Sequence, residues 1–185
     1  MIKNIILFFI FLILPNFSLA CDKEDFLKYV SAEKNRCIAL QTIGEINKNK
    51  KNLIIFLHGD LSSGTKPPGK KGYWKLGNEL LSKNVNFFFL ARPGYTLDSG
   101  RKSYGSYKET RKAKTNYKWE KLELVAKAAQ NLKEYYNADN LIMIGHSGGA
   151  LTSATINSRV PKLIDKSILI SCPGKTLILI CLLYT

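Results

Sequence analysis

The amino-acid sequence predicts an α/β fold, a doubly wound and mostly parallel sheet, on two observations. Four short runs are nearly continuous in apolar character: 52–57 (NLIIFL), 85–90 (VNFFFL), 141–144 (LIMI) and 167–171 (SILIS). Parallel strands covered on both faces read this way. Segments of helical period separate the runs, so strand and helix alternate along the chain, as they do in a sheet built from crossover units.

The elements follow in order. At the N-terminus MIKN supplies one positive charge, residues 5–14 form an apolar run of ten, Pro15 breaks it, and Ser18, Leu19 and Ala20 end in small residues. That order is the pattern of a secretory signal peptide over 1–20, cut before Cys21. Ten apolar residues are too short for a stable membrane span, which needs roughly 20. A lipid anchor on Cys21 is the lesser alternative, because Ser18 stands where a lipoprotein signal carries Leu. The chain is therefore expected to be exported, periplasmic or secreted.

Residues 41–46 read as an early edge strand, ahead of the run at 52–57. The stretch 61–72 (LSSGTKPPGKKG) has the Gly and Pro density of a loop. Tyr73, Leu76 and Leu80 fit one helix face before the run at 85–90. A long connection, 92–116, opens with RPGY and turns basic; from 101 to 121 eight Lys or Arg stand against two Glu. It reads as a solvated connection or, because long loops in compact domains are often lids, as a substrate-facing cap. Leu122, Val125, Ala129, Leu132 and Tyr136 recur at spacings of three and four, the face of a second helix. A third helix starts near Gly148, and 167–171 is the last strand. No repeat and no second domain are apparent, and nothing fixes an oligomeric state.

Composition excludes several classes. With 45% hydrophobic and 11% aromatic residues the chain can build one packed core and is neither disordered nor collagen-like. Its formal charge of +14 would suit an acidic partner. No zinc, RNP or helix-turn-helix pattern accompanies that charge, so no nucleic-acid partner is expected. No cofactor or metal is expected either, since no Cys pair has C-x-x-C spacing and two His complete no zinc set. Export places the four cysteines in an oxidising compartment, where Cys21 and Cys37 are close enough in sequence to close a local disulfide. Four cysteines allow three connectivities, and the others stay open.

The chemistry gathers at Gly145-His146-Ser147-Gly148-Gly149, between the apolar run LIMI and the small-residue stretch ALTSATI. In G-x-S-x-G the serine occupies a strained strand-to-helix turn that holds its hydroxyl clear of the sheet, and the flanking glycines leave room for neighbouring backbone. Alone the motif is weak; between a strand and a helix it is strong. A second element, His58-Gly59-Asp60, ends the first strong strand. A backbone N–H past such a pair can point to the same place as the N–H after the serine, making an anion site for a tetrahedral intermediate.

HGD, RPGY and GHSGG, each after a strand and in this order, resemble the α/β-hydrolase fold family over roughly residues 41–174. RPGY is similar to a loop of some cap-bearing hydrolases and proline aminopeptidases, with Thr96 where these often carry Gly. The resemblance implies Ser147 as acyl-accepting nucleophile, Gly148 and Asp60 as backbone oxyanion donors, and His58, Gly59, Gly145 and Gly149 as motif support. It also implies a small-molecule or peptide acyl substrate: an ester, an amide or a short peptide.

One departure matters. In this family an acid and then a histidine follow the serine. No His follows Ser147, and the only acid after it, Asp165, precedes its strand instead of following it. His146 is expected to turn its ring away from Ser147, and His58 to be structural. Residues 21–174 are thus expected to be a partial hydrolase domain with the last strands missing, 175–185 an atypical apolar tail, and the 185 residues catalytically incomplete. The alternative is a pseudo-hydrolase that binds a ligand or partner without catalysis.

Overall fold

The computed structural model describes residues 25–60, 75, 79, 84–106 and 117–172. The expected signal peptide at 1–20, Cys21, the stretch at 61–72, Tyr73, Leu76, Leu80 and the stretch at 175–185 lie outside the described residues. Lys75 and Glu79 are helical and exposed.

Six strands form one sheet in the order β1-β2-β4-β3-β5-β6. They are β1 (Tyr29–Glu33), β2 (Arg36–Ile43), β3 (Asn52–Leu57), β4 (Val85–Leu90), β5 (Asn140–His146) and β6 (Lys166–Ile170). β4, β3, β5 and β6 run parallel to one another, while β2 is antiparallel to β4 and β1 to β2. The sheet is the mixed, mostly parallel one expected, but its start differs. Instead of a single edge strand at 41–46, residues 29–43 form a hairpin. Asn35 turns it at a φ of 62°, a left-handed conformation that Asn tolerates better than most residues.

The central strands are buried because both their faces are covered. β3 is buried over its last five residues and β4 over all six, which is why neither shows the alternation of a half-exposed strand. Leu53, Ile55, Leu57, Phe88, Leu90, Leu141 and Met143 share one core cluster with helix α1 (Trp119–Tyr135) and with Ile156 of α2 (Gly148–Arg159). Ile54, Phe56, Phe87, Phe89 and Ile144 form a second cluster with Tyr95 and Leu97. The face of α1 expected from its spacing is the face it buries: Leu122, Val125, Ala129, Leu132 and the adjoining Tyr136 are each under 5% exposed. α2 buries Ala150, Thr152, Ser153 and Ala154, all small, so the helix lies close on the sheet. The Thr152 hydroxyl donates to Gly148 O at 2.9 Å and is satisfied within the helix.

Register brings three strand ends level. Leu57 pairs with Leu90 and with Gly145, and His146 pairs with Ile170. The residues that follow β3, β4 and β5 therefore leave the same edge of the sheet. In open α/β sheets that carboxyl edge is where ligands bind.

Candidate active site

Ser147 sits between β5 and α2 with φ 51° and ψ −116°. A positive φ on a non-glycine residue is strained, of order 1–3 kcal/mol, and persists only where the surroundings enforce it. Two contacts do so. The Ser147 N–H donates to Ile170 O at 2.8 Å, and its C=O accepts from Ala150 N–H at 2.9 Å. The hydroxyl does not cap its own helix.

The flanking glycines are required by space. A Cβ on Gly145 would lie 2.6 Å from both N and Cα of Ala150, and one on Gly149 would lie 2.7 Å from His58 O. Every obstacle there is backbone and cannot swing aside. Gly59 borders the serine from the other side: a Cβ on it would meet His146 Nδ1 and Ser147 Cβ, each at 3.0 Å. The His146 ring thus packs toward Gly59.

His58 is structural in every detail. It is fully buried, Nε2 accepts the Arg92 N–H at 3.1 Å, and Nδ1 lies 2.7 Å from Gly59 O. Accepting at Nε2 puts the proton on Nδ1, which donates to Gly59 O, so the neutral ring has both nitrogens engaged. Burial, with the Arg92 charge beside it, lowers its pKa to about 3. The ring ties the end of β3 to the start of the loop after β4.

Asp60 carries a network that the motif reading did not anticipate. Its Oδ1 accepts from Arg92 Nη2 and, at 3.1 Å, from the Tyr95 hydroxyl; its Oδ2 accepts from the Tyr117 hydroxyl. Burial works to raise the carboxyl, but the Arg92 charge and the three hydrogen bonds outweigh it and hold it below the ordinary range. The same burial and the bond to Asp60 push the Tyr117 hydroxyl well above its ordinary value. Arg92 is only 4% exposed, whereas the Asp60 side chain is 41% exposed. Arg92 and Tyr95 come from the quoted RPGY stretch. Tyr117 carries no sequence signal, because its role depends on where the start of α1 lands.

The first half of the long connection is tied down. Ser103 Oγ donates to Ala91 O at 2.6 Å and accepts from Ala39 N–H at 2.9 Å, and Arg101 donates to Leu40 O at 2.8 Å. Residues 92–106 are thus fastened to β2 and to the end of β4; 107–116 lie outside the described residues.

Asp165 is far from the serine. Its carboxylate accepts the Leu141 N–H at 2.7 Å and pairs with Lys133 at 2.8 Å. Burial works to raise this carboxyl, yet those partners hold it low. Leu141 lies at the opposite end of β5 from Ser147, roughly 20 Å away at about 3.3 Å per residue. Asp165 is a strand-start anchor.

Cys37 and Cys172 are each in a disulfide; Cys21 and Cys181 lie outside the described residues. Among the described residues no group of three His, Cys, Asp or Glu could hold a metal ion. No helix there is long and apolar enough to cross a membrane.

A strained serine turn at the carboxyl edge of a mostly parallel sheet, beside an HG loop, defines a nucleophile-elbow α/β architecture. The chain has the α/β-hydrolase fold. An esterase of Pyrococcus furiosus superposes with a TM-score of 0.57 at 22% identity, over 78% of this chain and 48% of that one. A Butyrivibrio proteoclasticus protein solved with ferulic acid gives 0.53 at 19%, over 76% and 51%. A CIB-like hydrolase from Thermoplasma acidophilum gives 0.51 at 14%, over 76% and 59%. The chain spans about half the length of these solved structures. No protein-family model and no curated protein matches the sequence.

Proposed function

We propose that the chain is an exported serine hydrolase scaffold acting on an acyl bond of a small molecule or peptide, with Ser147 as nucleophile. The observation that carries this reading is the Ser147 turn, with its φ of 51° at the sheet edge and Gly59 and Asp60 beside it. Ser147 Oγ attacks the substrate carbonyl carbon. The carbonyl oxygen becomes negative and is received by the backbone N–H groups of Gly148 and Asp60. Gly148 opens α2, where first-turn N–H groups have no helical partner and the helix dipole favours a negative charge. The esterase and thioesterase neighbours support an ester or thioester substrate class.

The serine still needs a base, since its hydroxyl is a weak nucleophile at neutral pH. His58 is committed to Arg92 N–H and Gly59 O and does not serve. With His58 committed, the described residues hold the nucleophile and the anion site without a full proton relay, and simple esters are hydrolysed weakly. Serine proteases stripped of triad members keep about 10³ to 10⁴-fold acceleration over water, so weak is not zero.

The test uses soluble, monodisperse protein, p-nitrophenyl acetate and a fluorophosphonate probe. Slow hydrolysis and slow labelling, both abolished by Ser147→Ala, are expected. Reaction that persists in Ser147→Ala would overturn the nucleophile assignment. Turnover at ordinary enzyme rates would overturn the missing relay, and His146→Ala would then show whether the neighbouring ring supplies the base. The pseudo-hydrolase alternative gains if Ser147 is inert while a ligand still binds.

A further inference from the structure

We propose that Arg92 is the counter-charge of the anion site: it neutralises the Asp60 carboxylate, which the fold places against Gly148, so that a negative oxygen can form there. The inference rests on the hydrolase reading above. The geometry holds a conflict. Asp60 Cγ and Oδ1 each lie 2.8 Å from where a Cβ on Gly148 would be, and the Tyr117 hydroxyl borders the same point. A carboxylate thus packs on the residue whose N–H is to receive an oxyanion. Two like charges about 4 Å apart at an effective dielectric of about 20 disfavour each other by about three decades. Left alone, Asp60 would oppose the reaction that its own backbone N–H assists.

The surroundings answer that conflict with positive charge and donors. Arg92 Nη2 and the Tyr95 and Tyr117 hydroxyls all give their protons to the Asp60 oxygens. Arg92 is held there at some expense: it is 4% exposed, and among the described residues its Nε has no hydrogen-bond partner. Burying a guanidinium with an unused donor is unfavourable unless the charge is needed. His58 fixes its backbone by accepting the Arg92 N–H, and Arg92 lines a small cavity with Tyr95, Lys121 and Thr152. The carboxylate in turn draws the loop after β3 down onto Gly148. Arg92 and Asp60 together position the Asp60 N–H and leave the site without net negative charge.

The experiment measures the rate of Ser147 labelling by a fluorophosphonate, whose phosphoryl oxygen gains negative charge during attack. Arg92→Gln is expected to slow labelling at least tenfold. Adding Asp60→Asn to Arg92→Gln removes the repulsion and should recover most of that loss, whereas a purely structural ion pair would leave the double variant as slow or slower. Arg92→Lys keeps the charge and should hold the rate within about threefold of wild type. Should Arg92→Gln fail to fold, Asp60→Asn alone decides: with Arg92 unopposed, labelling should rise. An unrecovered double variant, or slower labelling in Asp60→Asn, would overturn the counter-charge role. Labelling that ignores Ser147→Ala would instead bring down the hydrolase reading, and this inference with it.

Discussion

Lowering the pH from 7 to 5 should destabilise the protein through one residue, His58. In the fold its pKa lies at about 3 because the ring is buried beside Arg92; in the unfolded chain it is about 6.5. Above pH 6.5 both states hold the ring neutral and the shift has no effect. Below it the unfolded state binds a proton that the folded state refuses, so stability falls as pH drops and continues to fall until about pH 3. With these two pKa values the loss between pH 7 and pH 5 is about 2 kcal/mol, approaching about 1.4 kcal/mol per pH unit at the lower end. The window is chosen because most carboxylates remain ionised throughout it. Urea unfolding at pH 7, 6 and 5 gives the slope, and His58→Gln, whose amide can both donate and accept, removes it. A variant that keeps the full slope, or a wild type without one, would refute the claim that His58 is locked neutral. It would then be free to act as a base near neutral pH.

Three further outcomes are expected. Gly145→Ala drives a methyl group into the backbone of Ala150 at 2.6 Å, so overpacking of about 3 kcal/mol should lower Tm by about 6–12 °C. Gly100→Ala, at φ +83° with open space around it, should lose only about 1–2 kcal/mol for its backbone conformation; thermal melts giving the reverse order would sink the steric account of the elbow. Mature protein from the envelope or medium should begin at Cys21, and N-terminal sequencing that finds Met1 would reject the signal peptide. Cys37 should be paired with Cys21, closing a loop of about 15 residues that model estimates value near 3 kcal/mol; a peptide map linking Cys37 to another cysteine would reject that pairing.

The strands were legible where burial on both faces leaves a continuous apolar run, as in NLIIFL and VNFFFL, whose bounds match β3 and β4. The first hairpin was less so. In β1 only Val30 and Ala32 are buried, on alternate positions, and two residues of period two do not stand out from a loop. The elbow was legible because its glycines answer a local crowding that any sequence in that turn would meet. The Asp60 network was not, for a different reason. It joins residues 32, 35 and 57 positions apart, so it exists only once β3 and β4 are in register and α1 has docked. Asp165 shows the converse: an acid at a suggestive position in the chain is spoken for by Leu141 and Lys133 at the far end of β5.

The bond from Ser147 N–H to Ile170 O makes the serine's own amide the last rung of the β5–β6 ladder. Its hydrogen should exchange with solvent as slowly as those of the strands, although the residue lies in a turn. It also means that β6 acts as a lever on the serine. Ile168 and Ile170, about half and two-fifths exposed on that strand, are points where an outside load can be applied. Whatever rests on them transmits its stiffness through one carbonyl to the strained backbone that aims the hydroxyl.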